Sequence, residues 1–407
     1  MTASFASHLS ATAPDAAQPL TDPLVPRLRP FTSTIFAEMS ALAVATGSIN
    51  LGQGFPDSDG PSAMLTAAQQ AIADGVNQYP PGPGTPDLRA AIAATRERDR
   101  GQRFDPDTEV LVTVGATEAI ASAVLALAAP GDEVLMLEPY YDSYPAVVAM
   151  AGARTVPVPL VRDDTGRFAL DLQRLADTIT DRTRLLLLNS PHNPTGTVLT
   201  ADELAGIAAL AIDHDLIVVT DEVYEYLTFD GAAHLPIGTL PGMAERTVTI
   251  SSAGKTFNVT GWKIGWVCGP APLVAAVRAA KQFLTFVGGA PFQPAVAYAL
   301  RSESAWVADL RNSLQRKRDR LCAGLRTAGF DVSVPAGTYF VQADIRPLGE
   351  SDGMAFCRAL PARAKVVAVP TQVFYDDPAD GAYLVRFAFC KADEVIDEAA
   401  DRLARLG

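Results

Sequence analysis

The sequence predicts an α/β protein in which a large unit, built on a mostly parallel, helix-covered sheet, is joined to a smaller α+β unit. Three observations carry this. From Glu109 to about Ile250, short apolar runs alternate with helical stretches. The runs are continuously apolar rather than alternating, as strands covered on both faces require. After Pro291 the order changes to a long helical region followed by several short strands. A repeated strand-then-helix order implies parallel strands with helical crossovers.

Taken in order, residues 27–45 read as a short helix, and Ser48-Ile49-Asn50-Leu51 leads into the turn-rich Gly52-Gln53-Gly54-Phe55-Pro56. A helix is expected over 63–73. A second loop, Tyr79-Pro80-Pro81-Gly82-Pro83-Gly84, precedes a helix from about Asp87, whose carboxylate suits a helix start. Neither glycine loop has the third glycine of the dinucleotide fingerprint. Val110-Leu111-Val112-Thr113-Val114 is a strand, followed by a helix that begins near Thr117 and stops at Pro130-Gly131-Asp132. Val134-Leu135-Met136-Leu137 is the next strand, before a helix through Val147, Val148 and Met150. Strands at 185–188, 217–219 and 248–250 continue the series. The smaller unit should hold a helical region over 293–325 and strands at 332–334, 339–345, 366–369 and 383–389. The expected division is a disordered tail (1–26), a segment (27–50) that packs with the smaller unit, a large unit (51–290), and a long helix with the smaller unit (291–407).

Composition narrows the function. With 33 Lys plus Arg against 46 Asp plus Glu, the net charge of −13 lacks the basic surplus of a general nucleic-acid binder. Hydrophobic residues at 48% against 19% charged supply a core and exclude disorder of the whole chain. Cys268, Cys322, Cys357 and Cys390 form no CxxC pair, and His8, His192, His214 and His234 form no HExxH or HxxxH pair. The expectation is therefore buried thiols and no metal centre. No apolar run is long enough to span a bilayer. The first two dozen residues, rich in Ala, Ser, Thr and Pro, lack the basic start and apolar stretch of a secretory signal. A cytoplasmic protein is expected.

The most informative stretch is Ser251-Ser252-Ala253-Gly254-Lys255-Thr256-Phe257-Asn258-Val259-Thr260-Gly261-Trp262-Lys263-Ile264-Gly265-Trp266. Gly254-Lys255-Thr256 matches the end of a phosphate loop, but Thr249 stands where the first glycine is required, and the acidic strand precedes the loop. Ser252-Ala253-Gly254-Lys255 matches the SxxK of serine acyl enzymes, but the partner motifs are absent and Ser58-Asp59-Gly60 is only a near miss. The third reading is a lysine that forms a Schiff base with pyridoxal phosphate. That chemistry needs a strand-end amine and a carboxylate for the pyridine nitrogen. It also needs donors for the phenolate oxygen, an aromatic face and a phosphate cradle. All of these occur in order along the chain.

On these motifs the sequence resembles the fold-type I, class I aminotransferases, in the branch that includes kynurenine–glutamine and methionine aminotransferases. The nearest pattern is that of bacterial N-succinyldiaminopimelate aminotransferases. The similarity runs from about Arg27 to the C-terminus. Its motifs are Asn50-Leu51-Gly52-Gln53-Gly54-Phe55-Pro56, Asn193-Pro194-Thr195-Gly196, Thr220-Asp221-Glu222-Val223-Tyr224, the Lys255 stretch and Val385-Arg386-Phe387.

The resemblance implies pyridoxal 5'-phosphate as cofactor and the following roles. Lys255 is the Schiff-base lysine and later proton carrier. Asp221 partners the pyridine nitrogen and raises its pKa, so that the ring accepts electrons. Asn193 and Tyr224 donate to the phenolate oxygen, and Tyr141 stacks on the ring, with Tyr140 a one-residue ambiguity. The backbone at Ala116 and Thr117, with the side chains of Ser252 and Lys263, holds the phosphate at a helix N-terminus. Lys263 stands where related sequences often carry arginine. Tyr79 reaches the phosphate from the other subunit, which implies a homodimer with a shared active site. Arg386 grips the substrate α-carboxylate, and the Gly54 backbone lines the same pocket.

Aspartate-preferring relatives use a partner-subunit arginine for the side-chain carboxylate, whereas Phe286-Val287-Gly288-Gly289-Ala290 offers glycines at the comparable place. The expected donor is therefore larger than aspartate: N-succinyl-L,L-diaminopimelate first, with methionine, glutamine, kynurenine or an aromatic amino acid as alternatives, and 2-oxoglutarate as acceptor. A carbon–sulfur lyase would use the same residues. A sensor module of a transcription regulator would need a DNA-binding helical domain, for which the short tail is expected to leave no room.

Overall fold

The computed structural model describes residues 23–32 and 34–406. The expected tail lies outside the described residues except for Pro23 to Pro26. In chain order the strands are β1 (Ile49–Asn50), β2 (Val110–Val114), β3 (Glu133–Glu138), β4 (Arg154–Arg162), β5 (Phe168–Leu170), β6 (Thr183–Asn189), β7 (Ile217–Asp221), β8 (Thr247–Ser252), β9 (Ile264–Cys268), β10 (Asp331–Ser333), β11 (Phe340–Asp344), β12 (Val366–Val367), β13 (Val369–Pro370) and β14 (Leu384–Ala388).

Eight strands form one sheet in the order β2-β9-β8-β7-β6-β3-β4-β5. Strands β8, β7, β6, β3 and β4 are mutually parallel, β9 runs antiparallel between β2 and β8, and β5 is an antiparallel edge. Side chains alternate between two covered faces. Val134, Met136, Leu185, Leu187, Val219 and Val248 meet the helices Gly115–Leu127, Ser143–Ala151 and Ala271–Lys281. Leu135, Leu137, Leu186, Leu188 and Val218 meet the helices Leu172–Thr178 and Ala201–Asp213. Both faces are therefore covered, and the cores of β3 and β6 are continuously apolar, whereas β8 alternates Thr247, Thr249 and Ser251 with Val248 and Ile250.

The register sets up a site at one end of the sheet. Asn189 lies opposite Asp221, Asp221 opposite Ile250, and Ser252 opposite Gly265. The carboxyl ends of β6, β7 and β8 thus open together on one edge, where open α/β sheets bind ligands. The second sheet, β10-β11-β14-β13, is antiparallel. Its Val341, Val385 and Phe387 pack with Leu321, Phe356, Leu360 and Ile396 from the helices Ser304–Thr327, Gly353–Ala364 and Asp393–Leu403. β1 pairs in parallel with β12.

Several expected elements are corrected. The helical region over 293–325 is two helices, Phe292–Ser302 and Ser304–Thr327, interrupted at Glu303. The helix placed near Thr117 starts at Gly115, whose φ of 73° lets the strand turn directly into it. The run 366–369 is two short strands in different sheets. β4, β5 and β9 were not anticipated. Pro157 and Pro159 mask β4, which pairs β3 on one side and only the short β5 on the other.

Candidate active site

A cavity of about 370 Å³ opens where the sheet edge meets the segment Gln53–Phe55 and strands β11 and β14. Eleven of the twelve expected site residues line it: Gly54, Ala116, Thr117, Tyr141, Asn193, Asp221, Tyr224, Ser252, Lys255, Lys263 and Arg386. Tyr79 does not. It is 81% exposed, with its ring edge-on to Phe286 at 5.5 Å. Tyr140 is buried away from the cavity, so Tyr141 is the lining aromatic. The Phe286–Ala290 stretch also lies outside, its Gly288 against Val114 and its Gly289 against Ile264.

Lys255 sits on the short turn Ala253–Thr256 that follows β8. Its Nζ donates to the hydroxyl of Tyr339 at 2.8 Å. Loss of hydration lowers its pKa to about 8; Cys390 and Asp221 oppose that shift, while Lys263 and Arg386 reinforce it. Asp221, at the end of β7, accepts from the Tyr144 hydroxyl at 2.8 Å and from the Val223 backbone N–H at 3.2 Å. Burial pushes its pKa up to about 6, against the pull of these two bonds and of Lys255. The carboxyl is therefore mostly ionised at neutral pH. Burial raises the Tyr224 hydroxyl well above its ordinary value, so it stays a donor.

Arg386 is 1% exposed in the apolar strand β14. Its two terminal nitrogens donate to Asn193 Oδ1 and to the Gly52 carbonyl, each at 3.0 Å. Its Nε has no partner, and among the described residues no carboxylate lies within ion-pair distance. Burial lowers its pKa to about 10. The rings of Phe340, Phe374 and Phe36, at 4.0, 5.0 and 5.2 Å, surround the cation. Such a guanidinium is incomplete until an anion reaches it. Because arginine can only donate, Asn193 must turn its oxygen to Arg386, which leaves its NH₂ facing the cavity.

The third wall is a cradle. The helix Gly115–Leu127 points its N-terminus at the cavity. Lys263, in the left-handed region at φ 54°, lays its side chain along Gly115. A Cβ at Gly265 would stand 2.6 Å from Gly115 C and 2.8 Å from Ala116 N, so β9 can approach this turn only without a side chain. Open backbone N–H groups, a helix dipole, a lysine and the Ser252 hydroxyl make an anion site.

Sequence reasoning missed Tyr144, Tyr339 and Asn189. Tyr144 follows Tyr141 by three residues, across the turn that opens the helix Ser143–Ala151, a spacing that was available as a signal. Asn189 fixes the Asn193 backbone at 2.7 Å and the Asp221 carbonyl at 2.9 Å. Tyr339 is brought in by β11, and no local pattern marks it.

The chain matches the family described as aminotransferase class I and II over residues 46–403. It is 63% identical to a probable N-succinyldiaminopimelate aminotransferase of Mycobacterium tuberculosis, over 94% of this chain and 98% of that one. The solved structure of N-succinyldiaminopimelate aminotransferase from that organism superposes with a TM-score of 0.93 at 63% identity, covering 94% of this chain and all (100%) of the other. Methionine aminotransferase of Escherichia coli is 38% identical over 95% of this chain and 99% of its own. A single mutant of Thermus thermophilus aspartate aminotransferase is 33% identical with a TM-score of 0.87, over 95% and 100%. With a family match across most of its length, this chain belongs to the class I and II aminotransferases.

Proposed function

We propose that this aminotransferase works with pyridoxal 5'-phosphate, takes its amino group from N-succinyl-L,L-diaminopimelate and passes it to 2-oxoglutarate. The observation that carries the cofactor reading is one cavity holding Lys255, Asp221 and the Gly115 cradle together. The residues fit the group: the turn that forms the cradle is closely backed by Gly265, whose lack of a side chain lets β9 approach it, and Arg386 keeps an unpartnered Nε for a carboxylate. The donor rests on the 63% identity to the Mycobacterium tuberculosis protein of that description.

Bound there, the cofactor supplies an aldehyde to carry the amino group and a ring to take up electrons released at the substrate α-carbon. Ala116, Thr117, Ser252 and Lys263 would hold its phosphate, Tyr141 its ring face, and Asn193 and Tyr224 its phenolate oxygen. Asp221 would hold a proton on the ring nitrogen. Lys255, with a pKa of about 8, gives up and takes back a proton at Nζ near neutral pH. Arg386 and the Gly54 backbone orient the substrate α-carboxylate.

The exposed pair Tyr79 and Phe286 belongs, on this reading, to a homodimer in which Tyr79 reaches the partner's cradle. The pairing of β1 with β12 supports packing of 27–50 with the C-terminal unit (291–407), leaving 51–290 as the large unit. A cytoplasmic location accords with the free, buried Cys268, Cys322, Cys357 and Cys390. Among the described residues no helix is long and apolar enough to cross a membrane. The phenyl-lined cavity and the 38% identity to methionine aminotransferase favour methionine as the second donor to test.

The test is Lys255→Ala. Nearly all turnover should be lost while the fold is kept; full activity in the variant would sink this reading.

A further inference from the structure

Lys255 Nζ donates to the Tyr339 oxygen at 2.8 Å, and the Tyr339 hydroxyl donates to the Gly54 carbonyl at 2.6 Å. A carbonyl can only accept, so Tyr339 gives its phenolic proton to Gly54, and its oxygen accepts from Lys255 beside the Tyr224 hydroxyl. The ring is held in place: Tyr339 is 1% exposed, with Tyr224 edge-on at 5.2 Å and Phe340 at 4.8 Å. Burial lifts its hydroxyl well above the ordinary tyrosine value, so it remains protonated. Gly54 permits the approach, because a Cβ there would stand 2.8 Å from the Tyr339 ring and 2.4 Å from Phe340.

We propose that Tyr339 is a positioning residue for Lys255: by accepting one N–H of the amine it turns the lone pair away from itself and toward the cavity. This rests on the reading of Lys255 as the reacting amine. A lysine stem has four rotatable carbons, and a neutral amine has one lone pair, so only a fixed N–H partner gives that pair a direction. The tie also sets a common frame. The Gly54 carbonyl anchors Tyr339 and hence Lys255, while the Gly52 carbonyl two residues earlier receives Arg386 at 3.0 Å. The proton-carrying amine and the carboxylate grip are thereby referred to the same short loop.

The test is Tyr339→Phe in the full chain, read in two ways. In the cofactor-free chain, the pH dependence of Lys255 acylation by a small activated ester, which releases its alcohol as the amide forms, reports the amine's titration. Asp221, Cys390, Lys263, Arg386 and Tyr224, whose ring lies 5.8 Å from Nζ, are the charged or titratable groups that also bear on it, and all stay in place. Removing an acceptor that favours the ammonium should lower the midpoint by about one pH unit. In the loaded enzyme, kcat should fall by about tenfold to a hundredfold, with the donor KM changed by no more than about twofold. The combination is diagnostic, because a more readily neutral amine would on its own speed the reaction below the midpoint.

If Tyr339 only packs, the melting temperature falls while the Lys255 midpoint and kcat stay at the parent's values, and the proposal is overturned. If Tyr339→Phe does not fold, 3-fluorotyrosine at position 339 keeps the shape and weakens the oxygen as an acceptor. It should move the midpoint the same way by less, and an unmoved midpoint overturns the proposal equally. Full activity in Lys255→Ala would instead discard the reading of Lys255 itself.

Discussion

Arg96 pairs with Glu222 at 2.8 Å on the far side of the segment that presents Asp221 and Tyr224 to the cavity. The same guanidinium reaches Glu225 at 2.6 Å, Arg100 joins Glu225 at 2.9 Å, and Ser251 donates to Glu225 at 2.8 Å. Glu222, Glu225 and Ser251 are the sequence neighbours of Asp221, Tyr224 and Ser252, so one buried cluster backs three cavity residues. Glu222, Glu225 and His234 bring ligand atoms within 4.8 Å of one another, as a metal site would. Here, however, Arg96 and Arg100 already balance both carboxylates.

Arg96→Met would leave two buried carboxylates short of a partner, a loss of about 3–5 kcal/mol. Urea denaturation should register it, together with weakened cofactor binding.

Tyr144→Phe should change pH behaviour rather than fold. Burial holds Asp221 at about 6, and the Tyr144 hydroxyl is the largest opposing influence. The carboxylate, and with it hold on the cofactor ring, is present above that value and lost as pH falls through it. Removing the hydroxyl raises the midpoint further, by about one pH unit. Cofactor affinity measured from pH 5 to 8 should therefore fail at higher pH in the variant, with the two proteins converging at the alkaline end.

Arg386→Lys keeps a cation but not the fork, and the three phenyl rings around it leave little polar compensation for an ammonium. We expect kcat/KM for the amino donor to fall by about a hundredfold, mostly through KM, with an unchanged cofactor absorption band.

Gly265→Ala places a methyl against the backbone of Gly115 and Ala116, which cannot move aside as a side-chain tip could. The phosphate cradle should open, raising the cofactor dissociation constant by about tenfold or more, whereas Gly261→Ala, with nothing within 4 Å, should leave it unchanged.

The cavity was legible where the chemistry is local. Lys255, Asp221 and Asn193 stand at or just past strand ends inside short motifs, and the parallel register brings those ends together; Arg386 is carried in its own short motif at the middle of the antiparallel strand β14. What escaped was non-local or silent in pattern. β9 is antiparallel within an otherwise parallel run, and nothing in its composition distinguishes a reversed central strand. The break at Glu303 falls in Ser302-Glu303-Ser304, without the glycine or proline that usually marks a helix end. Tyr339 reaches Lys255 only because β11 passes beside the Gly54 loop, a contact between residues 84 positions apart. Tyr79 has an expected role that a single chain leaves outside its own cavity.

The central claim is tested most directly by the absorption spectrum of the purified protein, before and after N-succinyl-L,L-diaminopimelate is added without any oxo acid. The account predicts a visible cofactor band that the donor bleaches as the amino group is transferred. A band that persists would reject this donor and turn attention to methionine, glutamate and aromatic amino acids. No visible band, even after pyridoxal 5'-phosphate is supplied, would contradict the assignment of Lys255.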